Sequence, residues 1–380
     1  MRNRDSGQAP GRAGKGAASL AASLSRPFSP RPTSRGCSLP EACNAKAFRR
    51  NDDLGTLKVR RKPASLPGTS SPFALLPPPR LNVKRLLEAH KAWLAQHPEG
   101  ARAILTAVAL NSAPLEGALL QKAILRGCSL LEANLAGADL SQAVLIRCDL
   151  RQASLAGVDL SGAELKSTAL DLCLMSASNL TEARIQNCTF RHAILREARL
   201  LEAAVQGCNF TGAILQGASF HYASLTNSIF SDAEMERALF YHLQAVACYF
   251  VAARLDEANF SFSHLQACDF RGARLLRARF YRADLGLSCF AGANLDESDF
   301  HEARLRGADF CRASLENARF HDADLMAADF RGANLRGARG LTAAQLARAR
   351  TDLNTTLPNG KRGTYLKGSG AERPAPARPA

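Results

Sequence analysis

Nowhere in the 380-residue chain is there a run of about 18 apolar residues, so nothing in it reads as a membrane-spanning helix. Ala17 to Leu24 is too short and too serine-rich for the core of a secretory signal. There is no Ser-His-acid arrangement, no glycine-rich phosphate loop and no His-Glu-x-x-His, which removes the usual nucleophilic, nucleotide-dependent and zinc-hydrolase readings. Tryptophan occurs once, at Trp93, and acidic residues are almost missing through Arg35. The formal charge of +15 is unevenly placed: residues 1–110 carry 19 Lys plus Arg against 6 Asp plus Glu, and residues 111–340 carry 23 against 26. The excess therefore belongs to the tails, and the central segment is near neutral. A basic pI alone would suggest nucleic-acid binding. With the charge in the tails, no specific nucleic-acid partner is expected.

What is present in abundance is a period of five. From Leu105 to Leu335 every fifth residue is Leu, Phe, Met, Ile, Val or Ala, and two residues before each sits a small side chain, usually Ala, otherwise mostly Cys or Ser. Five matches neither the helical 3.6 nor simple strand alternation. Two inward positions separated by one outward residue describe a very short strand followed by a corner. A unit of five residues cannot fold alone, so several must close into a coil and stack as a solenoid. Cys128, Cys148, Cys188, Cys208, Cys248 and Cys268 share one series at spacings of twenty; Phe enters the large inward position at Phe190 and alternates there with other residues from Phe210 to Phe330. Twenty residues is four units. The chain should trace a square, with Phe columns on two opposite walls.

These residues resemble the pentapeptide-repeat family, whose A-(D/N)-L-x-x motif stands literally at Ala138-Asp139-Leu140, Ala293-Asn294-Leu295 and Ala333-Asn334-Leu335. The resemblance implies an all-β solenoid, a right-handed quadrilateral β-helix of about twelve coils. Some members of the family mimic duplex DNA and protect DNA gyrase from quinolones. That mimicry needs a strongly negative rod, and the near-neutral charge here argues against it.

Five segments follow. Residues 1–80 read as a disordered basic tail rich in Pro, Ser and Arg; its composition fits an organellar transit peptide, the leader of a secreted effector, or a mis-assigned start equally well. Residues 81–100 hold a helix capped by Asn82, with Val83, Leu86, Leu87, His90, Trp93 and Leu94 on one stripe. It should cover the raw solenoid end, with Trp93 as the plug. Residues 101–340 form the repeats. Residues 341–360 form a second lid, opened by the capping box Thr342-Ala343-Ala344-Gln345. Residues 361–380 should be a disordered tail. At Leu243 and Ala245 the large and small positions are exchanged, which predicts a local bulge or tilt.

Seven of the eleven cysteines take the small inward position, one per coil and without histidine beside them; they read as packing residues and not as metal ligands, in a reducing compartment. Cys289 and Cys311 face outward and are expected to be the reactive thiols. Arg271, Arg274, Arg277, Arg279 and Arg282 point to different walls, forming a belt and not a patch. Aspartates such as Asp139 and Asp329 sit where the backbone of the repeat needs them. No catalytic residue, cofactor or metal is expected.

One surface column gives His221, Tyr241, Ser261, Tyr281, His301 and His321, and its neighbour gives Tyr222, His242, Phe262 and Arg282. Clustered exposed aromatics mark contact surfaces, so His221, Tyr222, Tyr241, His242, Phe262, Tyr281 and Arg282 are the candidate protein-contact surface. The expected protein is a non-enzymatic, cytoplasmic binding or scaffold rod with an unidentified protein partner. It could pair with a second copy through an exposed solenoid end.

Overall fold

In a computed structural model, residues 82–374 are described. The expectations for residues 1–80 and for the last six residues lie outside that range. Between residues 103 and 339 the backbone repeats one pattern: a bridge or short strand, then a two-residue corner, every five residues. Eight three-residue strands, β1 (Ile104–Thr106), β2 (Ile124–Arg126), β3 (Val144–Ile146), β4 (Glu164–Lys166), β5 (Arg184–Gln186), β6 (Ala204–Gln206), β7 (Ser224–Thr226) and β8 (Gln244–Val246), form one parallel sheet in sequence order. Each pairs with the next at a step of twenty residues, as in Leu105 with Leu125. This is the first wall. The other three carry the same step as single parallel bridges, through the columns that begin Ala109–Ser129, Pro114–Asn134 and Leu119–Asp139. The repeats form a four-walled β-solenoid, as the period of five requires.

The inward columns fill its axis. Phe190, Phe210, Phe230 and Phe250 climb the second wall and Phe220, Phe240 and Phe260 the fourth, all fully buried. Rings within a column lie flat on one another, as for Phe190 and Phe210 at 4.5 Å and 4°. Across the bore they meet edge-on, as for Phe250 and Phe260 at 6.3 Å and 83°. Burial of each ring contributes about 1.5–3 kcal/mol. That is enough to hold together a rod with no other core.

The corners have one conformation. Every fifth residue from Ala107 to Gly337 has positive φ, and most of these are not glycine. A left-handed residue with a side chain is disfavoured, yet here each corner is held by ladders on both sides. Asp and Asn before the large inward residue brace these corners: the Asp139 carboxylate accepts from the Ser141 amide at 2.9 Å and Asp159 from Ser161 at 2.8 Å.

The exchange at Leu243 and Ala245 leaves no bulge. Leu225 still pairs with Ala245 and Gln244 with His264, and both exchanged residues are buried. Swapping large and small neighbours keeps the cross-section filled. Beyond β8 the first wall continues as single bridges, such as His264–Asp284.

Helix α1 (Val83–Leu94) closes the first coil, with the Asn82 side chain accepting from the Arg85 amide at 3.1 Å. Val83, Leu86 and Leu87 pack on the core. The expected plug is not Trp93, which is only partly buried. Fully buried His90 takes the inner place, and Trp93 stacks on its outer side at 5.4 Å with Arg102 above the indole. The imidazole can satisfy two backbone groups at the coil end, which an indole cannot. At the other end, helix α2 (Ala343–Arg348) has the expected capping box, and the Gln345 amide donates to the Phe320 and Ala323 carbonyls. Arg350 and Thr356 extend two ladders past the repeats.

Residues 361–374 depart from the expected disorder. Thr356 bridges Arg362 in antiparallel fashion, the Tyr365 hydroxyl donates to Glu372 at 3.1 Å, and Tyr365 and Ala371 are buried. One tyrosine and one alanine docked on the lid supply the apolar contact that composition did not promise.

Candidate protein-contact surface

The candidate residues occupy the corner between the fourth wall, at Phe220, and the first wall of the next coil, at Leu225. In each coil the two corner positions point away from the axis because the flanking inward residues are fixed by the ladder. Tyr222, His242, Phe262 and Arg282 have φ of 57°, 57°, 61° and 55°. Such angles are unusual for bulky residues, but every corner of the rod shares them, so they mark no special strain.

All seven expected residues come together. Tyr222 stacks on His242 at 5.0 Å, His242 on Phe262 at 5.3 Å, and Tyr241 meets Tyr222, His242 and Phe262 edge-on. His221 lies tilted against Tyr241 at 6.0 Å, and Phe262 meets Tyr281 edge-on at 5.2 Å. The Arg282 guanidinium sits over Tyr281 at 5.1 Å and over Phe262 at 6.0 Å. The rings partly cover one another, but Tyr222 remains 54% exposed.

Glu302, absent from the expected set, anchors the upper end. It accepts from Arg282 Nε at 2.6 Å and from the Tyr281 hydroxyl at 3.3 Å, and His301 Nε2 lies 3.3 Å from it. The Arg282 hydrogen bond holds its carboxyl below the usual range. The available signal was its place twenty residues after Arg282. Burial, reinforced by nearby His242, lowers the pKa of His221 and keeps that ring neutral near pH 7.

The inward cysteines are buried free thiols. Cys289 and Cys311 do point away from the axis, but they are 4% and 7% exposed, which overturns their expected reactivity. Cys289 sits between Asp269 and Asp309 on its ladder, and its thiol donates to the Asp309 carboxylate at 3.7 Å; burial pushes the thiol up to about 12. The arginine belt is real: Arg271 pairs with Asp269 at 2.6 Å, Arg274 with Asp256 at 3.1 Å and Arg277 with Glu297 at 2.8 Å. Among the described residues no group of three or more His, Cys, Asp or Glu side chains is placed to hold a metal ion, and no helix is long and apolar enough to cross a membrane.

Family models match most of the rod. Pentapeptide repeats (8 copies) match residues 103–142, 113–152, 133–171, 173–212, 193–232 and 206–240, and the pentapeptide repeat region matches residues 263–339. The chain belongs to the pentapeptide-repeat family. Similar solved pentapeptide-repeat structures include HetL, involved in heterocyst differentiation regulation in the cyanobacterium Nostoc. It is 26% identical over 63% of this chain and 93% of its own, with a TM-score of 0.28. QnrB1, a plasmid-mediated fluoroquinolone resistance protein, is 18% identical over 41% of this chain and 82% of its own, with a TM-score of 0.25. A pentapeptide repeat protein of the Arabidopsis thaliana thylakoid lumen is 32% identical over 23% and 65%, with a TM-score of 0.19. No curated protein sequence matches the chain. Membership in the pentapeptide-repeat family therefore rests on the repeats themselves.

Proposed function

We propose that this pentapeptide-repeat rod is a non-enzymatic scaffold that engages a protein partner through the aromatic corner. One observation carries the reading: an unbroken set of ring contacts runs along the corner from His221 to His301, with Tyr222 left open at its lower end. Aromatic rings fixed by their neighbours lose little freedom on binding and present large contact area. The inward ladders already hold the fold, so these rings are surplus to stability.

The test is capture of partners by the full chain against its Tyr241→Ser/Tyr281→Ser variant. Weakened capture with each substitution lowering stability by about 1 kcal/mol or less supports the reading, since exposed cross-strand pairs contribute little. Equal capture by the two proteins removes it.

A further inference from the structure

The outward column of the fourth wall changes sign along the rod. Asp139 and Asp159 stand in its early coils; Arg279, Asp299, Arg319 and Arg339 stand in its last four. The latter four, with the neighbouring corner residues Arg277, Glu297 and Asn317, line an open groove of about 490 Å³.

Arginines on adjoining corners are matched to carboxylates, Arg277 to Glu297 and Arg282 to Glu302, as is Arg274 on the third wall to Asp256. Among the described residues Arg279, Arg319 and Arg339 have no such partner, and all three are exposed. Asp299 stands between Arg279 and Arg319 in the column, but its Oδ1 accepts from the His301 amide at 3.1 Å. Arg319 and Arg339 are direct neighbours in the ladder. Like charges on adjacent rungs destabilise a sheet. A dianion shared between the two guanidinium groups would reverse that repulsion, and guanidinium forks bind phosphate oxygens in pairs.

We propose that this groove binds a phosphomonoester carried on an extended peptide, with Arg319 and Arg339 sharing the phosphate. Three ladder steps separate Arg279 from Arg339, roughly 14 Å, which is the length of about four extended residues. A basic side chain of the same peptide would face Asp299. A nucleic-acid strand fits less well, because it brings a phosphate to every position and Asp299 stands between Arg279 and Arg319 in the column. The groove adjoins the aromatic corner along the fourth wall but shares no lining residue with the seven residues of that corner.

The test is titration of the full-length protein, read by fluorescence anisotropy, with a dye-labelled phosphoserine peptide, its unphosphorylated twin and a labelled single-stranded oligonucleotide. The phosphopeptide should bind roughly tenfold or more tightly than its twin. Arg319→Gln/Arg339→Gln should remove that difference, whereas Arg312→Gln, at an exposed arginine on another corner, should keep it. If the double variant fails to fold, Arg339→Lys provides the second reading: it keeps the charge, loses the fork, and should narrow the preference. Equal binding of the two peptides, an unchanged preference in the groove variants, or tighter binding of the oligonucleotide would each overturn the assignment.

Discussion

Phe240 and Phe260 are twenty residues apart in sequence and lie face to face, with ring centroids 4.4 Å apart and planes 3° from parallel. Each also meets a ring of the opposite column edge-on. A ring in the middle of such a stack has no room to be replaced by rearrangement. Phe260→Ala should destabilise the rod by about 3–5 kcal/mol, and Phe260→Leu by considerably less. Urea unfolding measures both, and a loss below about 1 kcal/mol for the alanine variant would contradict the stacked-core account.

The corners predict a reversal of the usual glycine rule. Ala252 has φ of 56° and is exposed, while Gly137 has φ of 63° and faces open space where a side chain would begin. Ala252→Gly should therefore leave stability unchanged or raise it, and Gly137→Ala should lower it by about 1 kcal/mol. Thermal melts of the two variants give the signs directly.

His90 ties the lid to the solenoid. Its Nδ1 accepts from the Ala103 amide at 2.9 Å and its Nε2 donates to the Gln121 carbonyl at 3.0 Å, which fixes the neutral ring with hydrogen on Nε2. Burial lowers its pKa below the ordinary 6.5, an effect partly opposed by the Gln121 hydrogen bond. A histidine depressed in the folded state binds fewer protons there than in the unfolded chain, so its contribution is present above pH 6.5 and lost as pH falls below it. His90→Ala should cost about 2 kcal/mol, from two backbone groups left without partners, and should flatten the pH dependence between pH 7 and pH 5. An unchanged slope in the variant would remove His90 as the source.

Thiol chemistry should be slow in the folded rod. Cys173, Cys248 and Cys289 have thiols pushed up to about 12, 11 and 12, chiefly by burial, and thiolate is the reactive form. Native protein treated with iodoacetamide at pH 8 should show little modification at Cys289 and Cys311 by peptide mapping, and full modification in denaturant. Rapid native labelling at either position would contradict their burial.

The sequence by itself determined the solenoid. A period of five that never breaks, the twenty-residue cysteine series and the alternating phenylalanines specify the inward columns, because every coil repeats the same packing problem. The aromatic corner was legible for the same reason: positions twenty apart are neighbours wherever the walls are straight. Only the tertiary structure decided what happens between coils and at their ends. Whether Cys289 and Cys311 reach solvent depends on how closely adjacent rungs cover a short side chain, and no periodicity encodes that. Glu302 joined the corner through three contacts that its own pentapeptide does not reveal. The choice of His90 over Trp93 at the first coil turned on two unpaired backbone groups, whose positions exist only once the coil has closed. In the same way Tyr365 and Ala371 gained their burial from a lid that had first to fold.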